Sequence, residues 1–223
     1  MASRESQGIQ IRRASSITVT RTVTGLNFRS GTTDVVNANA TADFSSAGFT
    51  SAMRLQCVSK NTVANSNTAI HTIKSVAATV MTLHEPVTTQ DSTNLSITGY
   101  TMQAIGQIVS FNGPSGSAGI IDVSNLGSTA KEKMIGLRDE GQISMQVNFD
   151  MDSTFLHLKL VEDRSKRTKQ AFDIVFNDAG TIQSYAWFKA YVTGFSLSAG
   201  VDNALKADVT LELTTEIHWS TAI

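Results

Sequence analysis

Hydrophobic and polar residues alternate along most of this chain, which is the pattern of strands that bury one face. In the first hundred residues the alternation is clearest at 17–24, where isoleucine and valine alternate with threonine. Shorter runs of the same kind lie at 53–58, 68–74, 78–83 and 94–98. Pieces rich in Asn, Ser, Asp and Pro separate these runs and favour turns. The pattern predicts a small antiparallel sandwich or barrel in this part of the chain.

The second half of the chain repeats the pattern in longer segments. Predicted strands there lie at 102–111, 119–123, 142–149, 170–177, 181–197 and 205–219. One helix is predicted among them, with Asp150 or Asp152 as its cap. Apolar Leu156 and Leu160 follow at helical spacing, and basic residues lie near its end, where the helix dipole favours cations. The polar stretch 124–141 is predicted to be a long loop.

The composition differs between the two halves. From residue 15 to residue 100, threonine, serine and asparagine account for 35 of 86 residues, and only 9 residues are charged. Such a composition is typical of strands and turns and favours a separate domain. Residues 1–100 carry 8 basic and 5 acidic side chains, a net charge of +3, whereas residues 101–223 carry 10 and 14, a net charge of −4.

Charge and hydropathy exclude several classes of protein. The 18 basic and 19 acidic side chains nearly cancel, so the totals do not indicate a surface that neutralises DNA or adsorbs to membranes. No apolar run approaches the roughly 20 residues of a membrane helix. The basic residues near the N-terminus are not followed by an apolar stretch, so we expect synthesis in the cytosol without a secretory signal.

The candidate chemical sites each have a structural explanation. The single cysteine, Cys57, lies in an alternating run that favours a buried thiol. The glycines at 111–119 lack the Lys-Ser/Thr of a phosphate-binding loop, and His84 lacks the cysteines of a zinc deaminase. Asp150 and Asp152 lack the remaining ligands of a calcium loop. We therefore expect no enzyme activity, no cofactor and no bound metal.

Short segments of the second half share a specific resemblance. Residues 121–125 read Ile-Asp-Val-Ser-Asn, 128–132 read Ser-Thr-Ala-Lys-Glu, 136–141 read Gly-Leu-Arg-Asp-Glu-Gly, and 192–195 read Val-Thr-Gly-Phe. With the alternating Val-Thr-Leu-Glu before Trp219, these segments resemble the major tail tube proteins of long, non-contractile-tailed, siphovirus-type bacteriophages.

The resemblance covers residues 1–15 and 102–223, which are expected to form the tube domain. In the family the N-terminal segment runs within a few residues into the strand that begins here at Ala104. Residues 16–101 are therefore expected to be an inserted small β-domain, on the outside of the tube. The implied fold is all-β, a sandwich or barrel with one flanking helix, plus this second small all-β domain.

The resemblance also implies a function. Tail tube proteins are structural virion proteins, not enzymes, and they assemble as rings, usually of six, that stack into a hollow tube. The implied partners are further copies of the chain, the tape-measure protein, and the tail-tip and terminator proteins. Double-stranded DNA is expected to pass through without specific binding, which agrees with the −4 of residues 101–223. The expected location is the phage tail, assembled in the host cytoplasm, with weak host-surface contact by the inserted domain.

The polar stretch 124–141 is the predicted contact between rings. A monomeric sandwich has no use for a loop of this length. We expect the loop to be flexible in a free subunit and ordered between stacked rings. Its charged residues are then placed for ion pairs between subunits: Lys131, Glu132, Lys133, Arg138 and Asp139.

Two other functions stay open from the sequence. One is a tube protein of a contractile tail, a bacterial secretion apparatus or a gene-transfer particle. The other belongs to a different class, a free-standing adhesin or carbohydrate-binding module, suggested by the Thr-rich first half.

Overall fold

The structure, a computed structural model, describes residues 9–29, 35–37, 43–59, 70–125, 127, 129–176, 184–200 and 204–220. These residues are mostly in strands and include one α-helix, as the hydrophobic pattern predicts. The chain divides into two compact units. The first comprises Met1–Ala104, Ala171–Trp187 and His218–Ile223, and the second comprises Ile105–Gln170 and Phe188–Ile217.

The elements follow one another along the chain as β1 (Gln10–Arg29), β2 (Val35–Asn37), β3 (Arg54–Ser59), β4 (Ile70–Val76), β5 (Val80–Leu83), β6 (Gln90–Ala104), β7 (Ile108–Asn112), β8 (Ser117–Asp122), β9 (Lys133–Asp139), β10 (Gln142–Asn148), α1 (His157–Lys166), β11 (Gln170–Val175), β12 (Tyr185–Ser198), β13 (Lys206–Leu213) and β14 (His218–Ser220). A 3-10 turn, Ser153–Phe155, precedes α1.

Six strands of the first unit close into a barrel. Around it the order is β1, β2, β5, β4, β3 and β6, and β6 pairs again with β1. Val36 on the short strand β2 completes the closure, because it lies opposite both Phe28 of β1 and Met81 of β5. The interior holds its own hydrophobic cluster, which includes Phe28, Phe44, Leu55 and Met81. The closing contact is short, because β1 pairs with β2 only over Asn27–Arg29.

β1 and β6 extend beyond the barrel as a paired ribbon. Arg13 lies opposite Gln103 and Ala14 opposite Met102, and the register shifts before Thr18 pairs with Tyr100. Below this shift, β1 also pairs with β11. β1 and β6 stay paired with each other across the shift. The shift, close to residues 15 and 101, marks where the other neighbouring strand of each one changes.

Asp173 of β11 lies at the centre of a buried polar network in the first unit. Its side chain is fully buried and is bound by two arginines. Arg12 Nε donates to Asp173 Oδ1 at 2.8 Å, and a second Arg12 nitrogen donates to Oδ2. Arg54 Nε donates to Oδ2 at 3.0 Å. The Asp173 carboxylate on β11 thus connects β1 and the barrel strand β3 through ion pairs.

The network continues from Arg54 to a second carboxylate. The Arg54 guanidinium lies 3.5 Å from the ring centroid of Tyr185 and also donates to the Thr72 hydroxyl. Thr72 in turn donates to Glu85 at 2.7 Å, and the Tyr185 hydroxyl lies 3.0 Å from the same Glu85 oxygen. Burial raises the pKa of Tyr185, and the charge of Glu85 raises it further. The tyrosine therefore stays a neutral hydrogen-bond donor at neutral pH.

The second unit is built on a sheet in the order β12, β13, β10 and β7. Ile143, Met145, Val209 and Leu211 form part of its buried face. This alternation confirms the strands predicted at 142–149 and within 205–219. α1 buries Leu160 and His157, and the His157 ring stacks on Phe149, with ring centroids 5.7 Å apart.

Several predicted boundaries were wrong. The strand predicted at 102–111 is interrupted at 105–107, where Gln107 has a left-handed φ of 57°. The strand predicted at 205–219 ends at Leu213 and resumes only as β14. Asp152 accepts a hydrogen bond from Thr154 N–H and caps the 3-10 turn, whereas the left-handed residue Leu156 precedes α1 itself. Predicted strand residues 68–69, 177 and 181–183 lie outside the described residues.

Candidate assembly surface

Strands β8 and β9 form a hairpin that is separate from the sheet of the second unit. Its strands follow β7 and precede β10, which are themselves paired, so the hairpin leaves the sheet where Asn112 and Gln142 lie. The sequence predicted one long loop over the polar stretch 124–141, and this prediction was wrong. Residues 133–139 are a strand that pairs with β8.

Both faces of this hairpin are apolar and exposed. Ile120 lies opposite Ile135, and Ile121 lies opposite Met134. Adjacent residues of a strand point to opposite faces, so the two pairs occupy different faces. Ile135 is 78% exposed and Leu137 is 96% exposed. A two-stranded ribbon of this kind is marginally stable in water, and exposed apolar clusters are typical of interaction sites.

Two glycines hold the base of the hairpin. Gly113 has φ +113° and Gly141 has φ +69°, both in the left-handed region that favours glycine. A Cβ on Gly141 would lie 2.4 Å from the Ser115 carbonyl oxygen, so no other residue fits there without a shift of the backbone. Ser115 N–H donates to the Gln142 carbonyl at 3.2 Å. The two connections to the sheet are thus packed directly against each other.

The charged residues predicted to contact other subunits all lie on this hairpin. Lys131 and Glu132 lie in its terminal turn, and Lys133 begins β9. The Glu132 N–H donates to Ser124 Oγ at 2.9 Å. All three side chains are exposed. Their role in pairs between subunits stays a prediction.

Arg138 and Asp139 have partners within the subunit. Arg138 forms an exposed ion pair with Glu216, which raises the pKa of Arg138 by hydrogen bonding and charge. The carboxylate of Asp139 accepts a hydrogen bond from Gly141 N–H at 2.9 Å. Arg138 and Glu216 both line an open cleft of about 410 Å³ between the end of β9 and residues 213–216. This part of the predicted site therefore also shapes the base of the hairpin.

The face of the sheet opposite its buried side is polar. Side chains at alternate positions of the four strands form it: Ser110, Asn112, Gln142, Ser144, Gln146, Asn148, Lys189, Tyr191, Ser196, Ser198, Lys206, Asp208, Thr210 and Glu212. Gln146 connects two of the charges, because it donates to Asp208 at 2.9 Å and accepts from Lys206 at 3.3 Å. The two lysines and two carboxylates of this face balance, so it is neutral rather than acidic.

The residues considered for chemistry lie in structural surroundings. Cys57 is buried in the barrel core, and burial raises its pKa to about 12, so the thiol is not a nucleophile at neutral pH. Asp150 and Asp152 accept hydrogen bonds from nearby backbone N–H groups. Within the described ranges, no group of three or more His, Cys, Asp or Glu residues could hold a metal ion. The helix in these ranges is too short and polar to cross a membrane.

The model of one protein family matches residues 72–222, and its description is phage tail tube, TTP, lambda-like. This chain belongs to that family. The family is one of structural phage tail tube proteins, which are not enzymes, so the chain is a component of a virion tail that assembles into a tube. The matched range begins inside the segment 16–101 that the sequence predicts to be inserted. No curated protein matches the chain.

The contact residues predicted from the sequence were all charged, so the apolar residues of the hairpin were missed. The signal was present in the adjacent pairs Ile120-Ile121 and Met134-Ile135, which are apolar on successive positions. Such pairs place apolar side chains on both faces of a strand, which is unusual outside a fully buried strand.

Proposed function

We propose that this tail tube protein assembles as rings of six subunits that stack into the tail tube and form the channel for DNA ejection. The observation that carries the proposal is the β8–β9 hairpin. Its two exposed apolar faces need cover, and the described part of a single subunit leaves them open. Further copies of the chain, repeated along a tube, provide that cover.

Removing the apolar side chains of the hairpin tests this function. We expect the variant Ile120→Asn/Ile135→Asn/Leu137→Asn to stay folded but to form no tubes, because the side chains are exposed in the subunit and buried only on assembly. Electron microscopy of the purified protein, with and without a tail-tip nucleus, measures tube yield.

The matched control is Val58→Asn, which replaces an exposed aliphatic residue on barrel strand β3. This control should form tubes like the unmodified protein. A wild-type chain that stays monomeric at high concentration with a tail-tip nucleus would contradict the proposed function. A normal tube yield from the hairpin variant would show that tube assembly does not depend on the hairpin.

We further propose that the polar face of the four-stranded sheet lines the channel. A channel for DNA must not bind phosphate, and an excess of lysine or arginine would bind it through counterion release. The face consists mainly of hydroxyl and amide groups, and its charges balance. The neutral charge of this face, rather than the net −4 of residues 101–223, explains why the channel would not bind DNA phosphates.

Adding positive charge to that face should make the tube retain DNA. We expect tubes of Ser144→Lys/Ser196→Lys to bind short duplex DNA at low salt and to release it as salt rises. The control Ser75→Lys/Ser165→Lys adds the same charge at exposed positions of β4 and α1. Co-sedimentation of tubes with labelled DNA measures retention; equal retention by both variants would show that the polar face does not line the channel.

Residues 16–101 are proposed to be an inserted domain on the outside of the tube. Two observations support this. The barrel has its own core, and the chain enters and leaves it at paired positions next to the register shift between β1 and β6. An outside position also leaves the channel unobstructed, and the +3 of residues 1–100 favours weak contact with an anionic host surface.

The remaining partners are proposed from the function. A tube of stacked rings encloses the tape-measure protein and ends at tail-tip and terminator proteins. The protein is then located in the tail of the virion and is assembled in the cytoplasm of the host.

A further inference from the structure

The second unit carries another exposed apolar surface at the end of the sheet opposite the hairpin. Leu197 near the end of β12 and Leu205 just before β13 are exposed, and Met151 after β10 is 71% exposed. The Phe149 N–H donates to the Leu205 carbonyl at 2.7 Å, which extends the β10–β13 ladder by one pair. We call Met151, Leu197 and Leu205 the end patch.

The end patch continues the buried face of the sheet. Leu197 lies opposite Ala207, which is fully buried, and Leu205 lies two residues before Ala207 on the same face. The apolar face therefore runs past the part that the described residues of the unit cover. Exposed leucines that continue a core are typical of a surface that another chain covers.

The charges at the two ends are opposite. The hairpin turn presents Lys131 and Lys133 with Glu132 between them, and the residues on either side of Met151 are the exposed carboxylates Asp150 and Asp152. The hydrogen bonds from Thr154 lower the pKa of Asp152, so this carboxylate is ionised at neutral pH. The two lysines beside apolar strands can pair with the two carboxylates beside an apolar patch, so the surfaces match in hydrophobicity and in these charges.

We propose that the hairpin of one subunit docks on the end patch of a subunit in the next ring, with Lys131 and Lys133 paired to Asp150 and Asp152. The inference rests on the proposed function and names the surface that covers the hairpin. The hairpin leaves one end of this sheet and the end patch lies at the other end, with the seven residues of β10, roughly 23 Å, between them. The contact is therefore head-to-tail, and it repeats along the tube axis without closing.

Cross-linking between copies tests the docking. One preparation carries Ile135→Cys, a second carries Leu197→Cys, and a control carries Ser165→Cys on α1; the native Cys57 is buried and does not react. We expect mixed tubes of the first two variants, treated with a short bismaleimide, to give cross-linked dimers, and the unassembled mixture to give none. Mixed tubes of Ile135→Cys with Ser165→Cys should give none.

The outcomes separate this inference from the proposed function. If tubes form but Ile135→Cys links to the control position and not to Leu197→Cys, the docking is overturned and the tube function stands. If the wild-type chain forms no tubes, the proposed function fails, and the docking fails with it.

Charge reversal provides a second test that does not need cysteine. We expect Lys131→Glu/Lys133→Glu to lower tube yield about tenfold, since weak pairs act together when repeated around a ring. Adding Asp150→Lys/Asp152→Lys in the same chain should restore the yield. Thermal unfolding of each variant subunit monitors the fold, and a yield that the second pair of changes does not restore would overturn the pairing.

Discussion

Asp173→Asn should lower the free energy of unfolding by about 3–5 kcal/mol, which is the usual cost of breaking a buried ion pair from one side. Asn has the shape of Asp but no charge, so the change leaves the buried guanidinium of Arg54 and the half-buried Arg12 without their shared carboxylate. Urea denaturation, followed by the fluorescence of the buried Trp187, measures the change.

Asp208→Asn is the matched control, because Asp208 is an exposed strand carboxylate that accepts a hydrogen bond from Gln146. It should shift the urea midpoint little. If Asp173→Asn shifted the midpoint no more than the control, the network would contribute little to stability. Its two arginines would then be satisfied by other groups.

Removing residues 17–100 should give a tube with a smaller outer diameter and the same bore, provided that the aromatic residues covered by the barrel are also replaced. Ala14 and Met102 lie opposite each other in the β1–β6 ladder, so a short turn can join the two strands there. The deletion also removes Arg54, Glu85 and Tyr100, which cover Tyr185 and Trp187.

The deletion therefore needs two accompanying changes, Tyr185→Thr and Trp187→Thr, which replace newly exposed aromatics by strand-forming polar residues. We expect the bare deletion to aggregate and the compensated one to assemble. Cryo-electron microscopy measures both diameters. The full-length chain with the same two threonines is the control. A widened bore, or no assembly when that control assembles, would place the segment in the tube wall.

Much of the fold could be predicted because the period of two is local. Strands β10 and β13 bury one face each, and the alternation of Ile143, Met145 and Val147 with polar residues shows this directly. The helix was predictable because its apolar spacing is also a local pattern. The ends of these elements were harder to predict, since left-handed residues that are not glycine, such as Gln107 and Leu156, interrupt them.

Closure of the barrel and the polar network depend on contacts between distant residues. Phe28, Val36 and Met81 meet only through pairing of three strands, and Arg12 binds Asp173 across 161 positions. A pattern within a window of ten residues has no information on such pairs. The partner of Arg138, Glu216, is 78 positions away and was missed for this reason.

The order of the strands along the chain also sets the order in which the hairpin and the end patch become available during synthesis. Hairpin residues 117–139 leave the ribosome well before β13, the strand that pairs with β10 along its full length. β12 and β13 also supply Leu197 and Leu205, so a nascent chain has its hairpin long before it has the end patch. Non-local pairing of this kind forms late, after most of the chain has emerged. A growing chain can therefore present the hairpin to a finished neighbour, but it accepts a hairpin itself only when its own synthesis is nearly complete.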